Sequence, residues 1–134
     1  RQTSFNEHQF EKFKKGYPYI KYISDLFKDV CPDRWEAQNN MIQKTTKEFY
    51  IPDTVFTTIT INKNFRTAIH QDKGDLPEGF GNLGVLEAGN YEGAITVLPK
   101  YGIGFNVRSG DVCFFDVHIY FFFLPLDESP SLLR

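Results

Sequence analysis

Apolar residues recur at helical intervals along the first 50 residues of the chain. The segment YPYIKYISDLFKDV is the clearest case, because its apolar side chains fall three or four positions apart and would line one face of a helix. These residues are Ile20, Ile23, Leu26, Phe27 and Val30. The spacing predicts an amphipathic helix over this segment.

Two flanking segments carry signals for the start and the end of a helix. NEHQFEKFKKG begins with a capping residue, Asn6, and ends at Gly16. CPDRWEAQNNMIQKTTKEF has Pro32 near its start and Asp33 as a cap, and both are typical of a helix N-terminus. We therefore predict that residues 1–50 form an N-terminal helical support.

The pattern changes after Pro52 from helical spacing to alternation. TVFTTITIN is rich in β-branched residues, and four apolar segments follow it between Gly, Pro and Asn turns: NLGVLEA, GAITVLP, GIGFNVR and DVCFFDV. Short strands that repeat about every 8–12 residues are typical of an antiparallel sandwich or barrel and not of a parallel sheet. We predict a mainly β, α+β protein whose two-sheet core spans residues 51–134, within a single domain.

Composition and charge narrow the setting. The 134 residues include 41% hydrophobic and 24% charged residues, an ordinary globular balance. The net charge of −2 excludes a basic nucleic-acid surface over the domain as a whole. One local basic stretch between Lys12 and Lys21 is more typical of a solvated helix face than of a phosphate contact.

The location of the protein is predicted from its cysteines and its apolar runs. Cys31 and Cys113 are isolated, as free thiols in a reducing compartment would be. The sequence shows no apolar run of bilayer length and no leader, so we expect an intracellular protein of the cytoplasm or nucleus that is not secreted. Because the chain lacks an initiator Met, we expect it to be part of a longer protein, truncated at both ends.

The segment FRTAIHQDKGD ends a β-like run with His70 and Asp72. Residues two apart in an extended chain point to the same face, so these side chains would lie together. His118 follows the last predicted strand, and a two-sheet roll could bring it against them. Two imidazoles and one carboxylate form the facial triad of non-haem iron(II) oxygenases. Zinc in a cupin-like roll, or a turn aspartate beside a half-buried histidine, are the alternatives.

Three polar residues near this segment are candidate substrate contacts. Asn62 and Asn64 alternate with Lys63 before His70, where they could bind substrate or backbone groups. Asp75 follows Gly74 after the pair, either as a turn residue or as a carboxylate that binds a base amino group.

Residues 54–118 resemble the oxygenase domain of the TET/JBP family. The similarity is strongest in NKNFRTAIHQDKGD, in LPKYGIGFNVRSGD and in the DVH that comes four residues after the latter. The resemblance implies a double-stranded β-helix, or jelly roll, with His70, Asp72 and His118 as metal ligands. It also implies Fe(II) and 2-oxoglutarate as cofactors, O₂ as co-substrate and ascorbate as a supporting reductant. The implied substrate is the 5-methyl group of thymine or 5-methylcytosine in DNA, in a single strand or a flipped base.

The similarity to this family weakens after His118. The family commonly has a second histidine three residues further on, where this chain has Phe121. The family's arginine for the keto acid lies on the following strand, and Arg134 is the residue at a matching distance. Two other functions therefore stay open: a dioxygenase of the same fold that acts on a protein side chain or a small molecule, and an inactive metal-binding roll.

Overall fold

The computed structural model describes residues 4–64, 66–89 and 92–124, and it shows an α+β protein. Its contacts divide the chain into two compact units. A helical unit comprises the chain up to Ile61 together with Leu76–Phe80, and a strand unit comprises Asn62–Asp75 and the chain from Gly81 onward. None of the described helices has both the length and the apolar character needed to cross a membrane.

The described residues of the helical unit form four α-helices and one short 3₁₀ helix. They are α1 (Ser4–His8), α2 (Phe10–Lys15), α3 (Tyr17–Val30), α4 (Pro32–Ile42) and the 3₁₀ helix Lys47–Phe49. The prediction for YPYIKYISDLFKDV is confirmed at both ends, because α3 spans the whole of that segment. The apolar face of α3 is buried at Ile20, Ile23 and Phe27, as the three-to-four spacing requires.

The two other predicted helices differ from expectation at their starts. The first is interrupted at Gln9, whose φ of −129° is not helical, and Asn6 lies inside α1 instead of capping it. Helix α4 begins at Pro32, so Asp33 lies in the first turn and the preceding Cys31 makes no side-chain cap. Proline at the first position fixes φ without losing a needed N–H, and an acidic residue in the first turn is favoured by the helix dipole.

The strand predicted over TVFTTITIN is wrong. Residues 54–62 form bends and irregular backbone, and in residues 54–56 hydrogen bonds to other partners occupy backbone groups that a sheet would need. The Thr54 hydroxyl donates to the Ile51 carbonyl (2.9 Å) and accepts from the Phe56 N–H (3.1 Å). The Val55 N–H donates to the Ser24 hydroxyl on α3 (3.3 Å). Residues 54–61 belong to the helical unit, and the strand unit begins at Asn62.

Aromatic and aliphatic side chains form the core of the helical unit. Phe13, Ile20 and Ile51 are buried together, and Tyr17 packs against them. The ring centroids of Phe13 and Tyr17 are 5.0 Å apart in an edge-to-face arrangement. Such pairs add about 0.5–1.5 kcal/mol to the free energy that apolar burial supplies.

Within residues 66–89 and 92–124, five short strands form two antiparallel sheets. They are β1 (Gly81–Gly84), β2 (Thr96–Leu98), β3 (Ile103–Phe105), β4 (Val112–Phe115) and β5 (Phe122–Phe123). One sheet pairs β1 with β4, and the other has the order β3-β2-β5. The four segments from NLGVLEA to DVCFFDV are thus confirmed as strands, each shorter than its predicted segment. A turn at Ser109-Gly110 leads into β4, with Gly110 at a φ of +93°.

One apolar core contains residues from both sheets of the strand unit. Leu98 of β2 and Phe115 of β4 are buried in it, together with Val117 and Phe121. The rings of Phe115 and Phe121 meet edge to face with their centroids 5.1 Å apart. Each buried side chain of this kind contributes about 1.5–3 kcal/mol. The segments that hold His70 and His118 are anchored to this core.

Candidate metal centre

His70 is positioned by an antiparallel bridge to Phe121. The N–H of each residue donates to the carbonyl of the other, at 3.0 Å in both directions. The His70 imidazole also packs on the Phe121 ring, with centroids 4.3 Å apart. Its Nδ1 lies 2.8 Å from the Ala68 carbonyl, which can only accept a hydrogen bond. Nδ1 therefore carries a proton, and in the neutral imidazole Nε2 keeps the lone pair that a metal would bind.

Asp72 lies beside the residue that precedes His118. Its N–H donates to the Val117 carbonyl (2.9 Å), while its carboxylate Oδ1 is 3.7 Å from Nε2 of His70. A Cβ on Gly81 would overlap the Val117 side chain, so glycine at this position lets β1 pack directly against Val117. The prediction that His70 and Asp72 share one face is confirmed, and both side chains remain partly exposed.

His118 is held by side-chain and carbonyl groups. Its Nδ1 lies 3.0 Å from Oδ1 of Asp116, which also accepts the His118 backbone N–H at 2.9 Å. Its Nε2 lies 3.2 Å from the Asp75 carbonyl. The hydrogen bond to Asp116 and then the one to Asp75 raise the pKa of His118 above its ordinary value, because both stabilise the imidazolium. The Gln71 side chain adds a hydrogen bond to the His118 carbonyl.

The carboxyl group of Asp75 lies in the electrostatic field of the same residues. Loss of water around it raises the pKa of Asp75, and the Asp72 carboxylate raises it further, whereas His118 lowers it. Asp75 thus lies beside two of the predicted ligands, Asp72 and His118. The sequence predicted it as either a turn residue or a substrate contact. Its role as a contact stays a prediction.

The three predicted ligands fit the chemistry of an iron(II) site. Two imidazoles and a carboxylate come from segments joined by the Asp72–Val117 hydrogen bond. In the described part of the chain, no three His, Cys, Asp or Glu side chains are clustered as a metal would require. Nε2 of His118 instead faces the Asp75 carbonyl. The assignment of His70, Asp72 and His118 as ligands therefore stays a prediction.

The other predicted site residues divide into two groups. Asn62 and Asn64 line a cavity of about 230 Å³ in the strand unit, whose wall includes Leu83, Thr96 and Phe123. Asn64 has a φ of +50°, a left-handed conformation that asparagine tolerates better than most residues. Arg134, the predicted 2-oxoglutarate residue, lies outside the described residues.

Sequence reasoning missed Asp116 and Gln71. Asp116 precedes His118 by two positions, the same interval that drew attention to Asp72 after His70. A symmetric search for carboxylates on both sides of each histidine would have found it. Gln71 carries no such signal, because its contact with His118 joins residues far apart in the chain.

Several known proteins are similar to this chain in sequence. A family model that describes the oxygenase domain of the 2OGFeDO superfamily matches residues 1–121. The chain is similar to thymine dioxygenase JBP1 of Trypanosoma brucei brucei, with 38% identity over 90% of the chain and 14% of that protein. The JBP1-B protein of Trypanosoma cruzi (37%, 90% and 14%) and JBP1 of Leishmania major (36%, 88% and 14%) are also similar.

The chain spans about 14% of the length of these curated relatives, all of which are named as thymine dioxygenases. No solved structure matches it.

Proposed function

The chain belongs to the family of the 2OGFeDO-superfamily oxygenase domain, and from that premise we propose that it is an Fe(II)- and 2-oxoglutarate-dependent dioxygenase. We propose that it hydroxylates the 5-methyl group of thymine in DNA, since the similar curated proteins are named thymine dioxygenases. 5-Methylcytosine is the second candidate base. The observation that carries the proposal is the His70–Asp72 pair, hydrogen-bonded through Asp72 to the residue before His118.

The proposed fold of the strand unit is a double-stranded β-helix. Two antiparallel sheets that contribute side chains to one core support it. Such a roll places the ends of sequence-distant strands next to one another, which is what a site built from residues 70–72 and 118 requires.

His70, Asp72 and His118 would hold the iron, and Arg134 is the proposed partner of the keto-acid carboxylate. When bound, iron(II) with 2-oxoglutarate and O₂ supplies the oxidising chemistry that places a hydroxyl on an unactivated methyl group. The contribution of the chain itself is to orient the imidazole rings of His70 and His118. The Ala68 carbonyl orients the imidazole of His70, and Asp116 orients the ring of His118. To bind the metal, Nε2 of His118 would exchange its contact with the Asp75 carbonyl for the ion.

The substrate base would have to leave its stack to reach this site. Enzymes that carry out chemistry on a base take it out of the stack, so the proposed target is a flipped or single-stranded base. Asn62 and Asn64 offer amide donors and acceptors along one cavity, and these match the imide edge of thymine. Asp75, beside His118, offers a further polar contact.

The test is mass spectrometry of nucleosides after incubation of DNA with the protein, Fe(II), 2-oxoglutarate and ascorbate. Thymine-containing and 5-methylcytosine-containing DNA are run in parallel, with Asp72→Ala as the inactive control. We expect 5-hydroxymethyluracil from the first DNA and none from the control. Product only from the second DNA would change the base to 5-methylcytosine.

A second candidate function is oxidation of a protein side chain or a small molecule. The net charge of −2 favours it, because a polyanionic substrate is bound chiefly through basic residues. Consumption of 2-oxoglutarate with such a substrate, without any DNA product, would establish this function instead. If no substrate causes consumption, an inactive metal-binding roll remains.

A further inference from the structure

We propose that a cavity in the helical unit is a separate binding site for one unpaired nucleobase of a DNA strand. The cavity has a volume of about 410 Å³, within the ~300–1,000 Å³ that small-molecule sites occupy. None of its lining residues belongs to the candidate metal centre. The inference takes nucleic acid as the ligand from the proposed function, but it concerns binding and not oxidation.

One face of α4 forms a wall of this cavity. Three lining residues follow one another at four-residue intervals along one side of α4 and its C-cap: Trp35, Asn39 and Gln43. Tyr50 and Asp53 come from the segment after the 3₁₀ helix. The wall therefore presents aromatic rings, two side-chain amides and a carboxylate to one space.

The most buried lining residues of the cavity include two apolar side chains. Ile42 and Val55 line it and are only 5% and 4% exposed. Lys21 on α3 contributes an ammonium group at the rim, where it pairs with Asp25 (2.6 Å). Both members of that pair are about half exposed, and exposed pairs on a helix contribute only ~0.3–0.5 kcal/mol. Exchange of Asp25 for a phosphate oxygen would therefore cost little.

This combination of groups selects among ligand classes. A purely apolar ligand would make no use of the amides of Asn39 and Gln43 or of the carboxylate of Asp53. A metal ion would find a single carboxylate. A nucleobase offers two apolar faces and an edge of donors and acceptors, and its phosphate would lie near Lys21.

The existing contacts of the wall leave room for such a ligand. The hydrogen bond from Gln43 Nε2 to Asn39 Oδ1 is long, at 3.5 Å, and exposed, so both amides can turn to a ligand. Trp35 is fixed by donation from its Nε1 to Ser24 (3.4 Å), and Lys28 lies over its ring at 4.6 Å. Since Lys28 covers one face of Trp35, the stacking surface assigned to the base is Tyr50.

The chain contains one tryptophan, so the fluorescence of Trp35 reports on this cavity alone. Metal-free protein is titrated with a single-stranded 12-mer of thymidylate and, in parallel, with a 12-mer of the same backbone that has abasic sites throughout. We expect saturable quenching by the first and at least tenfold weaker binding of the second, because only the first has bases to stack. Equal binding of the two strands would mean a purely electrostatic contact and would overturn the proposal.

Variants of the cavity separate the proposed contacts from general folding. Tyr50→Ala should weaken binding at least about fivefold, the lower bound for a lost base–aromatic stack. Tyr50→Phe should restore it. The double variant Asn39→Ala with Gln43→Ala should also weaken it, whereas Tyr22→Ala, an exposed tyrosine on α3 that does not line the cavity, should have no effect. Circular dichroism confirms that each variant keeps its helices. If Tyr50→Ala and Tyr22→Ala, both folded, bind alike, the proposal fails.

Failure of this site and failure of the proposed function give different results. Hydroxylation of thymine without any response of Trp35 to the oligonucleotide rejects the cavity alone. A normal Trp35 response without oxidation of any DNA rejects the dioxygenase activity on DNA and leaves the cavity as a nucleic-acid contact.

Discussion

The two halves of the candidate metal centre are positioned by different kinds of interaction. His70 and Asp72 are held chiefly through the main chain, by the bridge to Phe121 and by donation from the Asp72 N–H to the Val117 carbonyl. His118 is held through its imidazole, by Asp116 on one nitrogen and by the Asp75 carbonyl on the other. The first half therefore depends on strand geometry, and the second on particular side chains.

This difference determines how each half tolerates substitution. A backbone hydrogen bond survives most side-chain changes, so the His70–Asp72 half is disturbed only by a ligand change or by loss of the core beneath it. The orientation of His118 is set by a carboxylate that a single substitution removes. The same contrast predicts loss of stability from changes under the first half and loss of metal affinity from changes beside the second.

Replacement of a ligand in the main-chain half should have the largest effect. Asp72→Ala or His70→Ala removes one of three predicted ligands, and we expect no detectable Fe(II) binding by anaerobic titration calorimetry. Both side chains are more than a third exposed, so the free energy of unfolding should change by no more than about 0.5 kcal/mol. Asp29→Ala, an exposed aspartate on α3, is the control. Binding of Fe(II) by Asp72→Ala with unchanged affinity would refute the ligand assignment.

Removal of the core beneath His70 should have the next largest effect. Phe121 is 3% exposed and its ring supports the His70 imidazole, so Phe121→Ala should lower the free energy of unfolding by about 3–5 kcal/mol. Urea denaturation measures the change. Tyr120→Ala, at the neighbouring position with 53% exposure, should cost no more than about 0.5 kcal/mol. If Phe121→Ala lowered the free energy of unfolding as little as Tyr120→Ala is expected to, Phe121 would not be part of the core.

Removal of the carboxylate beside His118 should weaken metal binding without unfolding the protein. Asp116→Ala frees the imidazole to rotate, and such groups typically contribute 10–100-fold to metal affinity, or about 1.4–2.8 kcal/mol. Asp116→Asn keeps a neutral acceptor and should fall between Ala and the unchanged protein. The spectrum of a Co(II) derivative reports the ligand geometry directly. An unchanged spectrum and affinity in both variants would mean that Asp116 does not position His118.

The smallest effect is expected at Gln71. Its side chain donates to the His118 carbonyl, and loss of one such hydrogen bond typically costs about 0.5–1.5 kcal/mol. Gln71→Ala should therefore lower the midpoint of urea unfolding slightly. The exposed neighbour Lys73 provides the control, Lys73→Ala. An effect as large as that of Phe121→Ala would place Gln71 among the main supports of the strand unit.

The strand unit shows how far sequence patterns reach. Four strands lie where alternation predicted them, yet each is only three or four residues long, because pairing such as Gly81 with Phe115 requires partners distant in the chain. The alternating segment at residues 54–62 pairs with no strand among the described residues. Its Thr54 and Val55 instead make local and helix-directed hydrogen bonds, and intrinsic β propensity does not decide between these outcomes.

The sequence by itself determined the features that depend on near neighbours. The bounds of α3 follow from apolar spacing and hydrogen bonds four residues apart, and the shared face of His70 and Asp72 follows from their two-residue interval in extended backbone. Only the tertiary structure decided that Asp72 meets Val117, that Phe121 supports His70 and that Asp75 faces His118. These contacts join segments some 40 or more positions apart, and their partners are chosen by the packing of a common core, which no local pattern encodes.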